Sequence, residues 1–144
     1  MSDGGHNSSH ANNDQALLLA SDSGHLEVVR LLLENGADIH ANNDEALQWA
    51  SENGHLEVVR LLICYNANIE VVNINDNNLL LTSNFIHVIY RRDFNEIYSY
   101  IQMMMDEFSQ ETIYTIVSCI EIYNPRLLYR NPRLAIALHH IISI

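Results

Sequence analysis

Lysine is absent from this 144-residue chain, and all seven basic residues are arginines. Eighteen aspartates and glutamates oppose them, which gives a formal net charge of −11 at pH 7. Because so acidic a chain repels phosphate backbones, we expect no nucleic-acid partner. The acidity is typical of a solvated, soluble face; a basic surface on a partner is the alternative interpretation.

Long apolar runs are missing as well. None approaches the ~20 residues of a membrane-spanning helix, so we expect no membrane association. Residues 1–12 are small and polar, lack the apolar segment of a signal peptide, and are predicted to be a disordered lead-in. The two cysteines, Cys64 and Cys119, lie in apolar helical patterns, which predicts buried free thiols and a reducing, cytoplasmic location.

The motifs of common catalytic and cofactor sites are also missing. The sequence has no glycine-rich phosphate loop, no His-Glu-x-x-His, no Gly-x-Ser-x-Gly and no cluster of Cys and His. We therefore predict that the protein is not an enzyme and has no catalytic residues, no cofactor and no metal site.

One block of sequence occurs twice. Residues 11–40 and 41–70 are identical at 19 of 30 positions without a gap, and Gly-His-Leu-Glu-Val-Val-Arg-Leu-Leu is intact at 24–32 and 54–62. A fixed period of this size indicates a solenoid, because one unit cannot bury its apolar face alone.

Each copy predicts two helices. Asp44 is placed to cap the first of them in copy 2, and Gly54 ends it. The second helix ends at Gly36 or Asn66, residue types that tolerate the left-handed conformation. Stacking of the two copies predicts one continuous core made by four residues of each: Leu17, Val28, Val29 and Leu32 with Leu47, Val58, Val59 and Leu62.

His25 and His55 begin the second helices of the two copies. Stacked repeats hold equivalent atoms ~10 Å apart, the usual helix-packing distance, whereas zinc bonds are ~2 Å long. We therefore predict a structural role for both histidines.

Residues 24–39, GHLEVVRLLLENGADI, resemble the second half of an ankyrin repeat. The first half departs from that family, since Glu45-Ala46-Leu47-Gln48 stands where Thr-Pro-Leu-His is usual, and the preceding loop is about three residues shorter. This compact form resembles the ankyrin arrays of giant amoeba-infecting (mimivirus-like) viruses. The resemblance implies an all-α helix-turn-helix solenoid that binds a protein partner; if the chain is viral, it implies a host protein and the host-cell cytoplasm.

The rest of the chain predicts a weaker repeat and a cap. We place ankyrin repeats at 13–108, as units 13–40 and 41–70 and a degenerate unit 71–108. Asn-Pro-Arg at 124–126 and 131–133 predicts a short turn at 125–129 and a final helix from about 132. Since solenoids need terminal units that close their core, 109–144 is predicted to form capping helices.

A partner-binding surface follows from the same resemblance. In ankyrin proteins the first-helix surface and the loop tips form the concave binding face, and the two copies differ there, at 18/48, 22/52 and 23/53 among others. Neutral drift would produce the same differences. Trp49 is predicted to be packed, with an interface anchor as the alternative. The predicted partner-binding residues are Leu18, Asp22, Ser23, Asn42, Asn43, Gln48, Glu52 and Asn53.

Three other functions remain open. The chain is an adaptor if its C-terminal helices recruit ubiquitin-ligase machinery, which an exposed apolar patch on 109–144 would favour over a fully buried stripe. It is a structural protein if it associates with itself through the apolar C-terminus. A hidden enzyme would require a deep pocket with convergent polar groups.

Overall fold

The computed structural model describes residues 2–143, with side chains from residue 11 onward, and every regular element in that range is helical. The chain divides into two compact units between Ile74 and Asn75, called unit 1 and unit 2 below. The predicted all-α class is confirmed. The helices are α1 (Ser2–Ser23), α2 (Leu26–Glu34), α3 (Ala41–Glu52), α4 (Leu56–Cys64), α5 (Asn77–Tyr90), α6 (Phe94–Glu107), α7 (Gln110–Tyr123), α8 (Pro125–Tyr129) and α9 (Pro132–Ser143), with a 3₁₀ turn at Ile69–Val71.

Helix α1 begins at Ser2, so its backbone crosses the segment for which the sequence predicts a disordered lead-in, residues 1–12. That prediction rested only on the small amount of apolar surface that these small, polar residues can bury. The segment contains no proline, so its backbone can extend the first helix of copy 1 towards the N-terminus. Met1 and the side chains of residues 2–10 lie outside the described part.

Unit 1 contains the two copies. Their first helices, α1 and α3, pack on each other, and so do their second helices, α2 and α4. The predicted shared core is largely confirmed, with Leu17, Val29, Leu47 and Val59 all at most 3% exposed. Val28 and Leu32 are exceptions, because Val28 is 48% exposed and Leu32 is only partly buried.

The tetrapeptide Ala-Asn-Asn-Asp, which begins both copies, has two different backbone conformations. At 11–14 it belongs to the right-handed helix α1. At Asn42, Asn43 and Asp44 the φ angles are +54°, +59° and +57°, three left-handed residues in succession. In copy 1 the tetrapeptide lies inside helix α1, which begins at Ser2. In copy 2 it follows the loop after α2, and the chain changes direction there before α3 continues. Asn and Asp permit both conformations because they tolerate the left-handed region better than other side chains.

Glycine substitution in the two copies is expected to change stability in opposite directions. Asn43→Gly relieves a left-handed residue and should raise the free energy of unfolding by roughly 0.5 kcal/mol. Asn13→Gly stands inside a right-handed helix and should lower it by roughly 0.5 kcal/mol. Urea denaturation followed by the fluorescence of Trp49, the single tryptophan, measures both. Changes of the same sign would contradict the two conformations.

Unit 2 is built from helices whose starts are marked by side-chain caps. Asp76 accepts a hydrogen bond from the Leu79 amide, and Ser109 accepts one from the Thr112 amide. Between α5 and α6, Arg92 has φ +59°, close to the +72° of Gly54 in the corresponding turn of copy 2. This shared turn supports our proposal that α5 and α6 form a degenerate third repeat.

The C-terminal helices pack together within unit 2, and their role as a cap stays a prediction. Helix α7 packs against α5, α6, α8 and α9. Gln110 at its start donates from Nε2 to the carbonyl oxygen of Ile141, 3.0 Å away, which joins it to the end of α9. The short helix at Pro125–Tyr129 and the final helix from Pro132 are confirmed. The buried stripe comprises Ile113, Ile116, Val117, Ile120, Leu134, Leu138 and Ile141.

Candidate functional site

The tips of the two first helices are joined by hydrogen bonds. Asn53 Nδ2 donates to the carbonyl oxygen of Asp22 at 3.0 Å and to its carboxylate Oδ1 at 2.6 Å. His55 Nε2 donates to the same carbonyl oxygen at 2.9 Å. The predicted structural role of His55 is thus observed, and its partner is the backbone of the preceding copy. Copy 1 has Ser23 where copy 2 has the longer Asn53. The sequence alone did not predict that Asn53 binds Asp22 of the preceding copy.

Gly24 allows His55 to approach so closely. A Cβ atom at Gly24 would lie 2.6 Å from His55 Nδ1, closer than real Cβ contacts permit. Gly54 occupies the corresponding place in copy 2 with a similar φ, but a Cβ atom there would have no neighbour within 4 Å. The glycine–histidine approach therefore fixes the spacing of the two tips within unit 1.

Asp44 holds the other end of copy 2. Its Oδ2 accepts from the Asn68 amide at 2.8 Å, and its Oδ1 lies 2.9 Å from His40 Nδ1. The sequence predicted Asp44 as the cap of its own helix, but its carboxylate instead binds the loop after α4. Asp14 plays the same part in copy 1, where its Oδ1 accepts from the Asp38 amide at 2.7 Å. The equal separation of 24 residues identifies one recurrent clamp.

Seven of the eight predicted binding residues fall into two groups, those whose side chains are held by hydrogen bonds and those whose side chains are not. Asp22 and Asn53, although exposed, are engaged with each other at the joined tips. Gln48 is partly buried and donates from Nε2 to the Asn43 carbonyl oxygen at 2.9 Å, which holds the left-handed turn. The remaining exposed side chains have no hydrogen bond or ion pair with any described residue: Ser23, Asn42, Asn43 and Glu52.

Leu18 does not belong to this surface. It is 3% exposed, whereas its neighbour Leu19 is 53% exposed. Leu17 and Ser21 are also fully buried, so the core side of α1 includes position 18 and turns position 19 outward. The Leu18/Gln48 difference therefore changes packing in copy 1, and the assignment of Leu18 to a binding surface is wrong. Trp49 is partly buried.

An open groove lies between α5 and α6. Its charged lining is neutralised in part, because Arg91 and Glu96 form an ion pair at 2.9 Å. The ring of Tyr100 stacks on Phe85 with centroids 5.6 Å apart, and burial raises the pKa of the Tyr100 hydroxyl. This arrangement shows no nucleophile paired with a base. Among the described side chains, no three His, Cys, Asp or Glu residues are grouped closely enough to hold a metal ion.

The C-terminal helices combine a buried stripe with exposed apolar residues. The stripe supports a cap, as described above. Outside it, large apolar side chains of the same helices face solvent, which is the feature that favours an adaptor surface: Tyr114 58%, Ile122 62%, Tyr129 78% and Ile136 70% exposed. Within the described range, no helix has both the length and the apolar content that crossing a membrane requires.

Comparisons with known proteins concern unit 1. The family model described as ankyrin repeats (3 copies) matches residues 2–73, which is half of the chain and ends one residue before the boundary of unit 1. No curated protein and no solved structure matches. The matched segment contains both copies, the left-handed turn of copy 2 at residues 42–44 and the joined tips. The chain belongs to the ankyrin repeat family.

Proposed function

We propose that the chain is a non-catalytic protein-interaction module whose unit 1 binds a partner through Ser23, Asn42, Asn43 and Glu52, called the tip surface below. Ser23 and Glu52 lie at the joined tips, whereas Asn42 and Asn43 lie in the turn at the start of α3. Ankyrin repeats are generally protein–protein interaction modules. The main support for this proposal is that these four side chains are exposed and make no hydrogen bond or ion pair with the described residues, whereas Gln48 and Asn53 beside them are held by hydrogen bonds.

The rigidity of the tips supports recognition by a preformed surface. Asn53 and His55 hold copy 2 to Asp22 of copy 1, and Gln48 holds the turn that displays Asn42 and Asn43. A surface that is already ordered loses little conformational entropy when it binds. Two repeats present roughly 600–900 Å² to a partner, from the lower edge to the middle of a standard interface, so we expect modest affinity.

The chemistry of the tip surface indicates the kind of partner. Glu52 is its one charged side chain, and amides and a hydroxyl supply both donors and acceptors. We propose a partner surface with a cationic group opposite Glu52 and polar groups around it. The resemblance of the short repeats to those of giant amoeba-infecting viruses supports a host protein in the host-cell cytoplasm as that partner.

Substitution of the tip surface should abolish capture of the partner. We expect Ser23→Arg, Asn43→Arg and Glu52→Arg together to weaken binding at least tenfold, because the bulk and the added positive charge oppose a cationic partner. The measurement is a pull-down from amoebal lysate with quantitative mass spectrometry, followed by titration of the captured protein.

A charge-matched control separates the surface from the net charge. Glu57→Arg and Glu70→Arg also raise the net charge by four units, but at exposed positions outside the tip surface. The control should retain the partner, with circular dichroism confirming that all baits are folded. If both variants lose the partner equally, only the overall acidity matters and the tip surface is not the site.

The adaptor is a second candidate because large apolar residues of 109–144 are exposed. In that case Tyr114→Glu and Ile122→Glu would release a ubiquitin-ligase component while the partner held by unit 1 stays bound. If this double variant captures the same proteins as the wild type, these two residues do not form an adaptor surface.

A further inference from the structure

One side of copy 1 is an exposed apolar face. Val28 and Leu31 on α2 are 48% and 57% exposed. Val58 and Leu61, the equivalent residues of copy 2, are 1% and 0% exposed. The two stretches have the same sequence, so the difference comes from position in the array.

The direction of this face follows from the stacking in unit 1. Copy 2 packs on one side of copy 1 through α3 and α4. Since Val28 and Leu31 remain exposed, they lie on the side of copy 1 turned away from copy 2. Val28 and Leu31, with Leu19 of α1 at 53% exposure, are defined here as the stacking face.

A second exposed apolar surface, of opposite charge, lies on α8 and α9. Residues 124–144 contain three arginines and no acidic residue, in a chain of net charge −11. Arg126, Arg130 and Arg133 are all exposed. Among them lie Tyr129 and Ile136, 78% and 70% exposed, the two most exposed large apolar side chains of the described residues. These five residues are defined here as the arginine surface.

We propose that the stacking face of one copy of the chain binds the arginine surface of a second copy. Copy 1, residues 11–40, carries five acidic residues against Arg30, a net charge of −4 that complements the +3 of residues 124–144. At 0.15 M salt the screening length is about 8 Å, so charges close to the contact act more strongly than charges elsewhere on the two molecules. Apolar side chains at the centre of both surfaces provide the burial.

A second copy is the occupant that accounts for both surfaces. An anionic membrane or an acidic peptide would satisfy the arginines but would leave Val28 and Leu31 exposed. Because the two surfaces differ, the contact is heterologous, and each bound pair retains one unused surface of each kind unless the assembly closes. This association is independent of the tip surface and does not rest on the proposed function.

Two complementary variants test the contact. The first carries Val28→Arg and Leu31→Arg, which destroy the stacking face, and the second carries Tyr129→Glu and Ile136→Glu, which destroy the arginine surface. All four side chains are at least 48% exposed, so both variants should fold, as circular dichroism would verify. Sedimentation velocity at 0.15 M salt over a concentration series measures the association.

The expected result is specific to a heterologous contact. The wild type self-associates, and each variant alone associates at least tenfold more weakly. Their equimolar mixture forms a heterodimer and nothing larger, because it contains one intact surface of each kind. Tyr114→Glu with Ile122→Glu, which adds the same charge to exposed positions of α7, associates like the wild type.

Three outcomes would overturn the proposal. A wild type that stays monomeric at several hundred micromolar has no such contact. Self-association of either variant alone at wild-type strength, with no heterodimer in the mixture, shows that a single surface pairs with itself. A monomeric wild type that co-floats with vesicles of phosphatidylcholine and phosphatidylserine, but not with phosphatidylcholine alone, makes a lipid surface the occupant of the arginine surface.

Discussion

Gly24→Ala is expected to lower the free energy of unfolding of unit 1 by about 3 kcal/mol, against about 1 kcal/mol for Gly54→Ala. Both glycines have a left-handed φ, +76° and +72°, so both substitutions incur the same backbone strain of about 1 kcal/mol. Only at Gly24 does the new Cβ atom collide with His55, whose Nδ1 would be 2.6 Å away. Displacing the ring breaks its bond to the Asp22 carbonyl, worth about 1 kcal/mol, and disturbs the packing of the tips by a similar amount.

Urea denaturation followed by Trp49 fluorescence measures this difference, because the single tryptophan lies in unit 1. Repeating both substitutions in a His55→Ala background isolates the contact, since the collision partner is then missing. The two glycines should become equivalent in that background. If Gly24→Ala remains the more destabilising substitution without the imidazole, the close approach is not the cause.

The regular parts of the fold were predictable because their causes are local. The side-chain caps at the starts of α5 and α7, Asp76 and Ser109, act on amides three residues further along the chain. The two Asn-Pro pairs placed α8 and α9, because proline is favoured in the first turn of a helix. Each of these signals acts within about four residues of the chain and depends little on which other helices pack against that segment.

The parts that sequence reasoning missed depend on position in the array. Val28 and Val58 stand in identical sequence, yet one is 48% and the other 1% exposed. Asn13 and Asn43 stand in the same tetrapeptide with opposite handedness. No window of local sequence distinguishes the members of either pair, since the difference is set by which repeat precedes or follows.

The candidate site was predictable as a region but not residue by residue. The comparison of the two copies correctly indicated that the first-helix tips differ, and Ser23 and Glu52 are exposed there. It did not separate residues that face a partner from those that join the copies. Asn53 differs between the copies because it reaches back to Asp22, a contact 31 residues away in sequence.

Asp44→Ala is expected to lower the free energy of unfolding by about 2–3 kcal/mol. The carboxylate is almost fully buried and accepts from the Asn68 amide at 2.8 Å, so its removal leaves that amide without a partner, at a cost of about 1–2 kcal/mol. The alanine must also occupy a φ of +57°, which costs about 1 kcal/mol more than aspartate does.

Copy 1 provides the matched control for Asp44. Asp14 accepts from the Asp38 amide at 2.7 Å, but it is less buried and lies in a right-handed helix, so Asp14→Ala should cost only about 1 kcal/mol. Asp44→Asn should fall between them, because asparagine tolerates the left-handed region and keeps one oxygen for the Asn68 amide. Trp49 fluorescence in urea ranks all three variants. If Asp44→Ala and Asp14→Ala lower the free energy of unfolding equally, neither the burial of Asp44 nor its left-handed backbone adds to the stability that the clamp provides. The left-handed turn would then not make copy 2 more sensitive to this substitution than copy 1.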